Sequence, residues 1–148
     1  MSSLPPPPPL ETSSPYGYET GTAEYAPWIQ RVGATLIDSV PGIILSVIGR
    51  AGAALYVLCL LLSLAFFAWN TCYRQGTTGQ SIGKQALGIK LIKEETGQPV
   101  GGWFSFGRQI VHIVDGLSLF IGYLWPLWDK KRQTFADKIM STVVVSAK

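Results

Sequence analysis

Residues Ala51 to Ala68 (AGAALYVLCLLLSLAFFA) are eighteen consecutive positions without an ionisable group or a proline. Wound as a helix, a run of that length and composition matches about 30 Å of hydrocarbon. A second stretch of spanning length, Trp28 to Gly49, lies immediately before it and is linked to it only through Gly49-Arg50-Ala51-Gly52. So short a link between two such stretches predicts a tight antiparallel transmembrane hairpin, helix 28–49 followed by helix 51–72. Composition agrees: with 47% apolar and only 14% charged residues and a mean hydropathy of +0.26, the chain reads as a small membrane protein and not as a soluble domain.

Within that apolar frame a few ionisable groups stand out. Arg31 and Asp38 are seven positions apart in the first stretch, and Arg108 and Asp115 repeat the spacing in the last one. An ionised side chain at the centre of a spanning helix costs about 2.5–3.5 kcal/mol on insertion scales, so such residues have a partner or a task. Arg31 is about 10 Å up the helix from Asp38, too far for a relaxed bond along one helix. Crossed pairs, Arg31 with Asp115 and Asp38 with Arg108, are therefore the expected structural arrangement. The alternative is a cation or proton site at Asp38: Pro41 removes an amide donor and frees the carbonyl of Ile37 beside that carboxylate. His112 lies on the same helical face as Arg108 and Asp115 and completes the candidate set.

Around the hairpin the chain divides by composition. Residues 1–26 contain no Lys or Arg and five consecutive prolines, Pro5 to Pro9, which predicts a disordered tail with a polyproline stretch and not a signal peptide. A polar loop, 73–102, contains a partly alternating run, Gly88 to Gly97, that predicts a short strand ending in a turn. Thr142 to Val145 is a second β-branched run within a basic C-terminal segment, 129–148, and the two are expected to pair as a small β-hairpin. The 73–102 segment carries Arg74, Lys84, Lys90 and Lys93, and the C-terminal segment Lys130, Lys131, Arg132, Lys138 and Lys148, whereas the 49–52 turn carries only Arg50. Positive-inside counting puts the two basic segments and the N-terminus in the cytoplasm of a cell (plasma) membrane. A third full span would carry the basic tail outside, so the segment 103–128 is expected to be interfacial or re-entrant, broken at Asp115-Gly116, in preference to spanning. The fold class is thus an all-α membrane protein with a small cytoplasmic β-element. All five tryptophans flank hydrophobic stretches, as interfacial anchors do.

Several functions are disfavoured. The net charge of +3 is scattered and not arranged in a stripe, which argues against nucleic-acid binding. One histidine excludes a histidine metal cluster within one chain, no cofactor is implied, and no nucleophile, base and acid set points to an enzyme. Gly79-Gln-Ser-Ile-Gly83-Lys84-Gln85 lacks the spacing and the Ser or Thr of a phosphate loop. It reads as a loop shaping the cytoplasmic side, with Lys84 near lipid phosphates. Cys59 and Cys72, about 20 Å apart along one helix, are not expected to bridge.

Three motifs in order carry a resemblance: Arg31-Val-Gly-Ala34-Thr-Leu-Ile37-Asp38; Gly76-Thr-Thr-Gly79-Gln-Ser-Ile-Gly83-Lys84 followed by Leu87-Gly88; and Lys131-Arg132-Gln-Thr-Phe-Ala-Asp137 followed by Ser141-Thr142-Val143-Val144. Over about residues 25–146 the chain resembles the RDD family of small bacterial membrane proteins, and its leader is similar to that of the mycobacterial proline-rich antigen group. The resemblance implies that the family's arginine and first aspartate fall on Arg31 and Asp38, and its second aspartate on Asp137, with Asp115 as the other candidate. Ser141 stands where a glycine is expected. The resemblance also implies a proposed transport of unidentified ligands, including cation/proton exchange. Two functions follow as expectations: transport of a cation, proton or other small ligand by a homo-oligomer in the lipid bilayer, or a non-transporting adaptor for a membrane-protein partner in which the Arg/Asp pairs are structural.

Overall fold

The computed structural model describes residues 24–147, so the expected proline-rich tail lies, except for its last three residues, outside the described part. Helix α1 covers Trp28–Gly49 with Pro41 inside it. After a short turn, α2 (Ala53–Phe67), a π-helical stretch (Ala68–Arg74) and α3 (Gln75–Thr78) continue as one 26-residue rod. Both rods are long and apolar enough to cross a membrane. Their surfaces are apolar as well: Val47, Leu61 and Leu64 are each more than half exposed, which in water would leave a large uncovered patch.

The rod outlasts the expected helix 51–72, and the polar loop begins later than its composition suggested. The π-helical stretch contains Asn70, which is 1% exposed. Next come a one-turn helix α4 (Ile82–Ala86) and strand β1 (Ile89–Lys93). Helix α5 (Gly102–Leu117) is followed by α6 (Ile121–Leu124) and a 3-10 turn (Trp125–Leu127), bent from α5 by 104°. Short helix α7 (Phe135–Ile139) and strand β2 (Thr142–Ser146) complete the described chain. The break after α5 falls at Leu119 and Phe120, both with positive φ (55° and 63°), and not at Asp115-Gly116. Asp115 is locked into the structure described below, and this holds the helix intact through Gly116.

Strands β1 and β2 pair antiparallel, Leu91 opposite Val144. Three helices separate them in the chain, so they form a two-stranded sheet and not the expected hairpin. Residues 24–26 lie along the far edge of β2, where Ala26 N donates to Val144 O (2.9 Å) and Ser146 N to Glu24 O (2.8 Å). Ala26, Ala34, Ile89, Leu91, Val100 and Val144 make the core on one side of this sheet. Ile92, Val143 and Val145 make a smaller one on the other side.

The chain uses one local plan twice. A helix carries Arg and Asp seven positions apart (α1, α5), and later a one-turn helix with a Ser or Thr N-cap (Ser81 before α4, Thr134 before α7) leads into a strand. Gly79 and Gly88 bracket the first one-turn helix with φ of 78° and 63°, and Arg132 and Ser141 bracket the second with 51° and 50°. The same spacing relates Leu91 to Val144, which face each other across the sheet. The copies differ in what lies between: a full rod in the first, a bent and shortened return in the second.

Candidate functional site

Asp137, the third residue of α7, is fully buried. Thr134 caps that helix: its hydroxyl accepts from Asp137 N (3.1 Å), and the Asp137 carboxylate accepts from Thr134 N (3.1 Å), a reciprocal capping box. The same carboxylate accepts from Arg108 Nε (3.0 Å) and from the Thr142 hydroxyl (3.1 Å). It also binds the Arg108 Nη2 and Arg31 Nη2 groups. Burial by itself would raise the Asp137 pKa, but the Arg108 and Arg31 guanidiniums outweigh it and hold the carboxyl well below the ordinary range. Arg31 gives a further bond to the carbonyl of Arg132. One carboxylate on α7 therefore ties α1 to α5.

The expected crossed pairs are not formed. Arg31 meets Asp137 and not Asp115, and Arg108 meets Asp137 and not Asp38. Sequence spacing placed partners only on the apolar stretches, and Asp137, in a basic segment, became available only because the chain folds α7 back beneath α5. Of the two carboxylates considered for the family's second aspartate, Asp137 is the one that Arg31 binds.

Asp38 and Asp115 perform matching tasks. Asp38 accepts from Gly83 N (2.8 Å), the Ser81 hydroxyl (2.5 Å) and Asn70 Nδ2 (2.8 Å), while Asn70 Oδ1 accepts from Ile82 N (2.9 Å). It thereby fixes the start of α4 against α1. The approach is so close that a Cβ on Gly83 would lie 2.0 Å from Ala34 O, so only glycine fits. Asp115 accepts from Phe135 N (3.0 Å) and Ala136 N (3.4 Å) at the start of α7. His112 Nδ1 donates to its other oxygen (2.6 Å), and the His112 ring stacks on Tyr123 across the bend, 5.5 Å between centroids. His112 thus serves the α5–α6 return; it makes no bond to Asp38, but both residues line the cleft described below.

Lys84 occupies the third position of α4, as Asp137 does in α7. Its ammonium donates to Gln75 Oε1, and Gln75 Nε2 donates to the Ser105 hydroxyl (3.1 Å). No carboxylate pairs with it among the described residues. Burial, then the facing Arg108, push its pKa down to about 7, against the opposing effect of Asp38.

These groups border a cleft of about 710 Å³ between α1, the α2–α3 rod and the α5–α6 return. Arg31, Lys84 and Arg108 line its polar end, where Asp38 is the one lining carboxylate among the described residues; Asp115 and Asp137 do not line it. Gly42, Ile43, Phe66 and Phe67 line the other end. Asn70 and Gln75 were missed in the sequence, and Asp137 was reached there only through the family resemblance, without its two arginine partners. The Thr-Phe-Ala-Asp capping spacing was a usable signal for α7; nothing marked Asn70 apart from its polarity inside an apolar run. Cys59 and Cys72 are both free, and no cluster of metal-ligating side chains is present among the described residues.

A family model, described as "RDD family", matches residues 25–141. The chain belongs to the RDD family. It is 40% identical to a "Proline-rich antigen homolog" of Mycobacterium tuberculosis over 84% of this chain and 64% of that protein. To the "Proline-rich antigen" of Mycobacterium leprae it is 39% identical over 80% of this chain and 60% of that protein. An "Uncharacterized protein" of Haemophilus influenzae is 26% identical over 74% of this chain and 72% of its own length. The chain thus spans less than two thirds of the mycobacterial relatives. No solved structure matches it. Within the RDD fold described here, the arginines and the aspartates hold α1, α4, α5 and α7 together, and the cleft lies beside them.

Proposed function

We propose that this RDD protein is a multi-pass membrane protein that takes up a small ligand in the cleft and passes it through or out of the bilayer, with the Arg31–Asp137–Arg108 cluster as the structural lock. The observation that carries this reading is the cleft itself: a half-open groove with a charged end, set between helices whose outer faces are apolar. A structural lock alone needs no such groove. In this reading the α5–α6 fold-back returns the chain to the side of the sheet, in keeping with cytoplasmic placement of the two basic segments and the N-terminus. Asp38 holds α4 in place and presents its carboxylate to the cleft. The lining cations outnumber it, which favours a ligand that bears negative charge over a bare metal cation. Uptake into the cleft asks nothing of a second subunit, so a homo-oligomer is needed only for passage across the full membrane.

The test uses proteoliposomes under an imposed pH gradient, with panels of monovalent cations and small organic anions. Flux of at least one panel member is expected with the wild type. It should be lost with Gly42→Leu, which fills the apolar end at a position where an added Cβ meets nothing within 4 Å. Absence of flux for every member, with Gly42→Leu indistinguishable from wild type, would favour the adaptor function. Thiol labelling of a cysteine placed at Arg50 from outside intact cells, with one at Thr96 protected, checks the topology.

A further inference from the structure

Lys84 has three N–H donors and, among the described residues, bonds only Gln75 Oε1. The groups facing it are Arg108, Asp38, Arg31 and Asp137. Arg31 and Arg108 are engaged by Asp137, and Asp38 is engaged by Asn70, Ser81 and Gly83. Among the described residues, Lys84 is thus the lining cation whose charge is not matched by a contacting carboxylate. From it the cleft runs beside α1 from Arg31 to Ser46, about 22 Å along the helix at 1.5 Å per residue. Its far end is walled by Ile43, Phe66 and Phe67 and left open by Gly42. The volume of about 710 Å³ lies within the roughly 300–1,000 Å³ of sites that enclose one drug-sized molecule. A small inorganic anion would use only the polar end.

From this charge complementarity and shape we infer that the cleft binds a single-chain anionic amphiphile drawn from the bilayer, a long-chain carboxylate in class, with its headgroup on Lys84 and its chain laid along α1 toward Ser46. The inference rests on the reading of the cleft as a ligand site and names the ligand's chemistry. Lys84 makes binding sensitive to protons. Its ammonium is present below about pH 7 and lost above it, while Arg31 and Arg108 are engaged by Asp137. The headgroup is therefore held in the acid range and released as pH rises.

The experiment uses the full chain in nanodiscs of zwitterionic lipid with a photoactivatable sixteen-carbon carboxylate, its methyl ester, and a sulfonate of the same chain length that stays anionic across the pH range. Crosslinks are mapped by mass spectrometry. The carboxylate should crosslink to the α1 and α2 walls near Gly42 and Phe66 at least about fivefold more than the ester, an energy difference of about 1 kcal/mol. That excess should vanish in Lys84→Met, and all cleft crosslinking in Gly42→Leu. Sulfonate crosslinking should fall between pH 6 and pH 8.5 in wild type and stay level in Lys84→Arg, a variant that also separates loss of charge from loss of fold. Equal crosslinking by acid and ester, both abolished by Gly42→Leu, would overturn the anionic headgroup while leaving a ligand cleft. Crosslinks confined to the outer faces of the rods would overturn the inference outright. Competition by inorganic phosphate with no dependence on chain length would show a free-anion site and overturn it too.

Discussion

At the third position of its one-turn helix, the first copy of the repeated plan places Lys84 and the second places Asp137. The surroundings are otherwise alike. Each helix has a hydroxyl N-cap, each is anchored by the aspartate of an Arg-and-Asp helix, and each ends in a residue with positive φ leading into a strand. Yet Asp137 collects both arginines, and among the described residues the Lys84 ammonium bonds only an amide. Two guanidiniums are satisfied by one shared carboxylate. A cation at the matched position is repelled by both and turns to the cleft. The difference separates tasks within one scaffold, holding the fold in the second copy and facing a ligand in the first.

The largest effect should come from removing that difference in charge. Asp137→Asn leaves two buried guanidiniums without their carboxylate and is expected to cost about 3–5 kcal/mol, read as a loss of folded protein in denaturant titrations of detergent-solubilised samples. Lys84→Met, at the matched position, should leave stability unchanged or raised. The pH arms differ too. The folded pKa of Asp137 lies below its unfolded value, so its contribution is full above about pH 4 and declines below. The folded pKa of Lys84 is lowered from 10.5 to about 7, so between those values the unfolded chain binds the extra proton and stability rises with pH. Equal losses for Asp137→Asn and Lys84→Met would dissolve the contrast.

Next in size is coupling. Arg31 and Arg108 share one acceptor, so Arg31→Met combined with Asp137→Asn should fall short of the summed single losses by about 0.5–3 kcal/mol. Arg31→Met combined with Asp115→Asn, the pair suggested by sequence spacing, should be additive. A smaller effect tests the matched anchors: Asp38→Ala and Asp115→Ala each remove the acceptor for backbone amides at the start of a one-turn helix, and by analogy with N-caps each should cost about 0.5–2 kcal/mol. Hydrogen exchange should localise the two losses to α4 and α7 respectively. The smallest effect concerns the exits. Ser141→Gly should gain up to about 1 kcal/mol by placing glycine in a left-handed conformation, and Gly88→Ala should lose a similar amount. Melting of the two variants in parallel would show whether both exits carry the same strain.

Local patterning made much of this fold legible. The uninterrupted run at Ala51 to Ala68 and the stretch from Trp28 to Gly49 gave the two rods, since length and hydropathy are properties of the chain alone. The β-branched run at Thr142 and the alternation after Gly88 gave the two strands. The glycine expected where Ser141 stands corresponds to a residue with φ of 50°, which is the region glycine favours. Boundaries were less legible: the second rod runs on to Thr78, and α5 breaks beyond Gly116, because contacts from Asn70 and Asp115 to other elements override local propensity.

The candidate site divides along the same line. Sequence by itself determined that Arg31, Asp38, Arg108 and Asp115 need partners, since a charge in an apolar stretch carries that demand wherever it lies. It could not choose the partners, because spacing along a helix reports neighbours only within that helix. Tertiary structure decided that Asp137 meets both arginines and that Asp38 and Asp115 hold the starts of short helices. It also decided that Lys84 faces a cleft, since each outcome depends on which distant backbone amide or guanidinium the fold brings within hydrogen-bond distance.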